Sequence, residues 1–211
     1  FPLATNDPTF LKNNKTERTL TWIGHASFLL QLDTMNILTD PHLTKRASPV
    51  SFAGPSRTTP PGLSIENLPV IDIIVISHNH YDHLDYQTIR QITKQQKNNQ
   101  PLILVPLKLK KLLESFGATN VQELEWWDTV KVANSTIHSV PVQHWSNRGF
   151  NANKTLWCGW VFETKNFKCI FVGDTGYSKD FLTIQEKFDS MDLALIPIGA
   201  YAPRWVMKDH H

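Results

Sequence analysis

The chain has 211 residues, of which 41% are apolar and 19% charged, the balance of a globular protein with a real core and not of a disordered chain. A formal net charge of +2 gives no electrostatic footprint for nucleic acid, so none is expected as a partner. No apolar run is long enough to span a bilayer, and no signal-peptide pattern opens the chain, although it starts at Phe1 and not at Met.

The elements are predicted in chain order from hydrophobic periodicity and turn signals. Residues 20–23 and 28–32 read as paired strands with Gly24 at the bend, and 36–39 as a short strand stopped by Asp40-Pro41. Residues 48–63, rich in Pro, Gly and Ser, read as a long loop, and loops of that length in a compact domain are usually functional. Residues 71–77 are almost continuously apolar, as in a strand covered on both faces. Helical spacing follows over 84–95, with Leu84, Ile89 and Ile92 as core positions, then a strand at 102–105. A helix is expected over 108–116, where Lys108, Lys110 and Lys111 form a solvated start and Gly117 a terminating glycine. The second half adds strands at 136–144, 155–162, 167–172 and 193–198, with a helix at 181–188. Strands interleaved with helices suggest an α/β sandwich of sheets covered by helices. Cys158 and Cys169 lie in neighbouring apolar runs; a disulfide is open to them, and two buried free thiols are the expectation.

Three strands end in polar ligand types: one at His78, one at His144, one at Gly173-Asp174. Strand ends are where sites form in α/β proteins. In His78-Asn79-His80 the two histidines are two apart, so an extended loop points both the same way and lets them share an ion. Asp82 and His83 can serve a second ion beside it, and Asp174, with two carboxylate oxygens, can bridge. His25 reads equally as a residue lining the site or as a structural histidine, and His42 and His138 read as structural. Asp85 can orient a ligand or cap the following helix. Tyr81 and Arg57 are candidate substrate contacts, since both can reach a phosphate; packing for Tyr81 and a surface ion pair for Arg57 are the plain alternatives.

The run His78-Asn79-His80-Tyr81-Asp82-His83 resembles the signature of the metallo-β-lactamase superfamily. Further segments narrow the resemblance to the N-acylphosphatidylethanolamine-hydrolysing phospholipase D family. They include Trp22-Ile23-Gly24-His25-Ala26-Ser27, Ile37-Leu38-Thr39-Asp40-Pro41, Arg46-Ala47-Ser48-Pro49 and Gly54-Pro55-Ser56-Arg57. Gln143-His144-Trp145, Gly173-Asp174-Thr175-Gly176-Tyr177, Ile198-Gly199-Ala200-Tyr201 and Pro203-Arg204-Trp205 continue it in family order over nearly the whole chain.

The resemblance implies a metallo-β-lactamase fold, an αββα sandwich, in one hydrolase domain over residues 1–211 whose C-terminal part is expected to lie beyond His211. It implies two zinc ions, one held by His78, His80 and His144, the other by Asp82 and His83 with Asp174 bridging. The family's last ligand, a later histidine, falls outside this sequence, which leaves the second site one ligand short; His210 is a conceivable substitute. Asp40 matches an acid needed for activity, read physically as the acceptor of a hydrogen bond from a ligand imidazole. His211 matches a further histidine near the site, and Asp82, Asp40 and His211 are the catalytic candidates. The implied reaction is hydrolysis of a phosphodiester by water activated between the metals, releasing an N-acylethanolamine and phosphatidic acid from the phospholipid. A cytoplasmic protein with peripheral membrane contact is the corresponding expectation, with a homodimer left open. The alternatives are a sugar-phosphate lactonase or nucleotide phosphodiesterase on the same scaffold, or a non-catalytic zinc-binding remnant.

Overall fold

The computed structural model describes residues 3–149, 151–208 and 210–211. The chain divides into two units, one of Phe1–Ile76, His80–Leu104 and Lys110–Gln122, the other of Ser77–Asn79, Val105–Leu109 and Glu123–His211.

The first unit opens with helix α1 (Pro8–Asn13), started by Asp7, whose carboxylate accepts from the Thr9 and Phe10 amides, with Pro8 in the first turn where its missing N–H costs nothing. Strands β1 (Thr19–Gly24), β2 (Ser27–Leu32) and β3 (Met35–Thr39) form an antiparallel meander. The β2–β3 turn has two residues, Asp33 and Thr34, both at positive φ (46° and 75°), the handedness that matches strand twist in a tight hairpin. Strand β4 (Ile73–Val75) then pairs parallel to β3, and β5 (Leu102–Pro106) parallel to β4. With β6 (Val121–Leu124) they make a six-stranded sheet in sequence order; β5 and β6 run on into the second unit at Val105 and Glu123.

Ile73, Ile74 and Val75 are fully buried, as a parallel strand covered on both faces requires. Helix α2 (Tyr86–Gln95) starts at Asp85, which accepts from the Gln87 amide at 3.0 Å and from the Thr88 hydroxyl at 2.6 Å. Capping is therefore the role Asp85 takes; such a cap contributes about 1 kcal/mol. The helix buries Ile89 and Ile92 four and seven positions on, one stripe of a 3.6-residue period. Helix α3 (Lys110–Ser115) ends as predicted at Gly117 (φ 98°): the Ala118 amide donates to Leu113 O and the Gly117 amide to Glu114 O, the paired bonds that close a helix over a left-handed residue.

The second unit carries a five-stranded sheet ordered β11-β10-β9-β8-β7, from β7 (Thr129–Val132), β8 (Ser135–Val140), β9 (Gly159–Thr164), β10 (Phe167–Phe171) and β11 (Leu193–Leu195). Neighbours are antiparallel except β10 and β11, which are joined through helix α4 (Asp180–Phe188) and run parallel. Val140, Val142, Val161, Ile170, Val172, Ile184 and Phe188 form its core, so α4 contributes Ile184 and Phe188 to the sheet's apolar side. Helix α5 (Arg204–Met207) is one short turn near the end.

The predicted strand over 136–144 stops at Val140, because Pro141 offers no N–H to the ladder. The strand predicted from 155 begins at Gly159, since residues before it spend their amides elsewhere: Leu156 donates to Leu107 O and Cys158 to Ser77 O. The apolar runs 71–77 and 193–198 shorten to β4 and β11. Loop 48–63 is closed at its base by antiparallel pairing of Arg46 with Ser56, and Arg46 reaches Gly54 O.

Cys158 and Cys169 are free and fully buried, and burial pushes the Cys169 thiol up to about 12. The thiolate is the reactive form, so neither cysteine is expected to react with a disulfide reagent at pH 8 while the chain is folded, and both are expected to react in denaturant. Stoichiometric labelling of the native protein contradicts this.

Candidate metal centre

The pairing of strands gathers polar residues at one end of each sheet. In the first unit, β3 and β4 are parallel with Thr39 opposite Val75, so Asp40 follows directly and its amide donates to Val75 O at 3.0 Å. The β1–β2 hairpin tip lies at the same end: Thr39 Oγ1 donates to Ala26 O at 2.8 Å and Ser27 Oγ donates to Asp40 O at 2.8 Å. After β4 the chain returns to the first unit at His80, and the His83 and Leu84 amides both donate to His80 O, a tight turn that carries Tyr81, Asp82 and His83.

His83 is fully buried and its Nδ1 lies 2.7 Å from Asp40 Oδ2, which is itself fully buried. A carboxylate accepts, so the imidazole donates from Nδ1 and its Nε2 carries a lone pair. That Nε2 stands 3.7 Å from Asp82 Oδ2 and 3.3 Å from His25 Nε2, while His25 Nε2 is 3.0 Å from the same Asp82 oxygen. For the Asp82 carboxyl, burial works upward, but the hydrogen bond from His25 and the charges of His83 and His25 outweigh it and hold the group well below the usual carboxylate range. The spacing suits a metal. A tetrahedral zinc with bonds of about 2.0–2.1 Å sets its ligand atoms about 3.3–3.4 Å apart.

In the second unit, β8 and β10 both run antiparallel to β9 and so end at the same edge, where Gln143 bridges Gly176. The Gly176 amide donates to Gln143 O at 2.8 Å and the Gln143 amide to Thr175 Oγ1 at 3.1 Å. This pairing sets His144 against Asp174, with Nε2 to Oδ2 at 3.9 Å, and His211 Nε2 approaches the same oxygen at 3.8 Å. One ligand atom each from His144, Asp174 and His211 lie within 4.8 Å of one another, a set that could also hold a metal after a small contraction. His144 Nδ1 donates to the His210 carbonyl at 3.0 Å, which puts the ring's lone pair on Nε2. His78 packs edge-on to His144 with ring centroids 4.5 Å apart, and its Nδ1 is hydrogen-bonded to Ser77 Oγ at 2.8 Å.

The residues singled out from sequence thus fall into two sets: Asp40, Asp82 and His83 meet in the first unit, and His78, His144, Asp174 and His211 in the second. His80 and Tyr81 belong to the turn of the first unit. Arg57 donates from Nε to Thr44 O at 3.0 Å and from Nη2 to His42 O, so its guanidinium fastens the base of the long loop. His138 sits on β8 beside Glu163 at 3.1 Å and against the Phe188 ring, a structural position. Sequence reasoning left His25 undecided and did not single out Ser77 or the His210 carbonyl. The glycine before His25, in a bend between two strands, was the available signal for His25.

A model for the β-lactamase superfamily domain matches residues 35–211, and the chain belongs to that superfamily and has the metallo-β-lactamase fold, α/β with mixed sheets. Within it, the chain is 43% identical over 202 residues to N-acyl-phosphatidylethanolamine-hydrolyzing phospholipase D 1 of Caenorhabditis elegans, covering 90% of this chain and 56% of that protein. A UPF0173 metal-dependent hydrolase of Pyrobaculum islandicum is 30% identical over 182 residues, covering 85% of this chain and 71% of that one. Among solved structures, Igni18, a metallo hydrolase of Ignicoccus hospitalis, superposes with a TM-score of 0.64 at 21% identity over 86% of this chain and 70% of that one, a likeness of fold. The chain spans about half the length of the first curated relatives it matches.

Proposed function

We propose that the chain is the metal-binding catalytic portion of a zinc-dependent phosphodiesterase of phospholipase D type, which hydrolyses N-acylphosphatidylethanolamine to an N-acylethanolamine and phosphatidic acid. The observation that carries the reading is the 43% identity to the Caenorhabditis elegans enzyme of that name. The His/Asp clusters of both units, each by itself, support a metal-dependent hydrolase. The ligand assignment is the one the resemblance implies: His78, His80 and His144 for one zinc, Asp82 and His83 for the other, with Asp174 bridging.

Zinc, when bound, lowers the pKa of water toward neutrality and neutralises charge on the phosphoryl oxygens. The chain's own part is to keep the coordinating nitrogens fixed. Asp40 holds the proton on His83 Nδ1, and the His210 carbonyl holds the proton on His144 Nδ1, so each ring keeps Nε2 for a metal and does not rotate. His211, whose Nε2 lies 3.8 Å from Asp174 Oδ2, is the proposed donor of a proton to the departing group. A phospholipid is the proposed substrate, met at a membrane surface in peripheral contact. No helix among the described residues is long and apolar enough to cross a membrane.

Alanine at His80 or at Asp174, with zinc content and turnover of N-acylphosphatidylethanolamine both measured, tests the reading. The expected outcome is loss of zinc and a fall in turnover of about a hundredfold or more, since a metal site supplies several kcal/mol of transition-state stabilisation. Chelation of the wild-type protein is expected to abolish turnover and lower Tm, with both restored by added zinc. Full turnover in a zinc-free protein rejects the mechanism. Zinc-dependent hydrolysis of other esters with none of the phospholipid keeps the metal and rejects the substrate.

A further inference from the structure

Asp40 holds its carboxylate where it is by means of an unusual backbone. Its φ is 32°, in the left-handed region that L side chains seldom adopt, and Pro41 follows it. Chirality opposes that conformation, and so does the proline, which pushes the residue before it toward extended backbone. The conformation nonetheless sets Asp40 Oδ2 2.7 Å from His83 Nδ1, with both side chains fully buried. Strain of this kind persists only where surrounding contacts over-determine it.

Those contacts come from β2 and β4. The Asp40 amide donates to Val75 O at 3.0 Å. The Asp40 carbonyl accepts from Ser27 Oγ at 2.8 Å, and the same Ser27 Oγ accepts from the His42 amide at 2.9 Å. One hydroxyl therefore closes the Asp40-Pro41-His42 segment from both sides, with its single hydrogen on residue 40 and a lone pair for residue 42. Pro41, between them, has no N–H to contribute. Register puts Ser27 in this place: β2 and β3 pair Phe28 with Thr39, so Ser27 and Asp40 are the next pair along the two strands. Thr39 Oγ1 fixes that end, accepting from the Phe28 amide at 3.0 Å and donating to Ala26 O at 2.8 Å. Ser27 is fully buried, where a hydroxyl is costly unless bonded, and both of these bonds go to the segment that carries Asp40.

We propose that Ser27 is a positioning residue of the metal site. Its hydroxyl holds Asp40 in the left-handed conformation from which the carboxylate keeps the His83 proton on Nδ1 and leaves Nε2 to a metal. The inference rests on the proposed reading of His83 as a zinc ligand. Ser27 acts through Asp40 and is not itself a ligand.

The test measures zinc affinity by competition, and the ring-nitrogen NMR shifts of His83 in the metal-free protein. The variants are S27A, S27C, D40A, the double variant S27A/D40A, and H83A as the control for ligation. S27C keeps nearly the volume of serine with only a weak donor, and serves where S27A does not fold. Expected is a fall in zinc affinity of about tenfold in S27A and about threefold or more in S27C, the lower range for a group that orients a ligand through its partner. The His83 shifts of both variants are expected to move toward those of a ring that exchanges its proton between the two nitrogens. In the D40A background the serine substitution is expected to add less than about twofold, because the hydroxyl then has no carboxylate to position. Affinity within about twofold of wild type in S27A and S27C overturns the role, and so does a fall that leaves the His83 shifts unmoved. An equal fall in the wild-type and D40A backgrounds also overturns it, since Ser27 then acts on the fold at large. Unchanged zinc affinity in H83A rejects His83 as a ligand, and the His83 shifts of the serine variants still decide whether Ser27 positions Asp40.

Discussion

Asp40→Ala is expected to lower metal affinity about 10–100-fold and to destabilise the metal-free chain, although Asp40 is not among the zinc ligands that the resemblance implies. Asp40 and His83 are both fully buried and joined at 2.7 Å. Removing the carboxylate strands the Nδ1 proton of His83 inside the protein, and an unsatisfied buried donor costs about 1–3 kcal/mol. It also frees the ring to change tautomer or turn, and either change takes Nε2 away from Asp82. Asp40→Asn separates the two effects. Its amide oxygen can still accept from Nδ1, so stability is expected to return toward wild type while affinity stays reduced, because the neutral group no longer raises the basicity of the imidazole. Urea denaturation of the metal-free proteins and zinc competition with a chromophoric chelator provide the two readings. Wild-type zinc affinity in Asp40→Ala contradicts the argument.

Gly173→Ala is expected to cost about 2–5 kcal/mol of stability. Gly173 has φ 64°, and an added Cβ would lie 2.5 Å from Ser77 Cβ and 2.7 Å from Ser77 Oγ. The left-handed backbone accounts for about 1–2 kcal/mol of the loss and the overpacking for about 1–3. The contact also falls on a residue that matters for the site, since Ser77 Oγ is bonded to His78 Nδ1 at 2.8 Å. Metal binding is therefore expected to weaken along with stability. Coupling with Ser77→Gly isolates the steric part: the double variant is expected to recover the clash but not the backbone strain. A Gly173→Ala midpoint in urea within about 0.5 kcal/mol of wild type, the range of a neutral surface change, contradicts the prediction.

Among the elements, those with a strong local signal were legible from sequence. Helix α3 and its Gly117 terminus, the buried stripe of Ile89 and Ile92 in α2, and the β1–β2 hairpin around Gly24 each follow from residue type and spacing. Strand lengths were less legible, because an apolar run reports burial and not hydrogen bonding. Residues 71–77 are apolar throughout, yet the ladder occupies only Ile73–Val75. The β6 and β7 strands were missed: β7 alternates exposed and half-buried positions at the edge of its sheet, where propensity is weak.

The candidate site divides along the same line. The run His78-Asn79-His80-Tyr81-Asp82-His83, with His144 and Asp174 at strand ends, identified the superfamily and the chemistry, because metal ligation needs particular donor types and those are written in the residues themselves. Which nitrogen each histidine presents was decided by tertiary structure. The acceptors that fix the tautomers, Asp40 for His83 and the His210 carbonyl for His144, lie 43 and 66 residues away in the chain. The placement of His25 was decided there too. Sequence shows a histidine in a bend; only the folded hairpin, with its left-handed backbone pinned by Trp22, turns that imidazole toward Asp82 and His83. Residue identity is a local property and can be read along the chain, whereas the direction of a lone pair depends on partners that only the fold brings near.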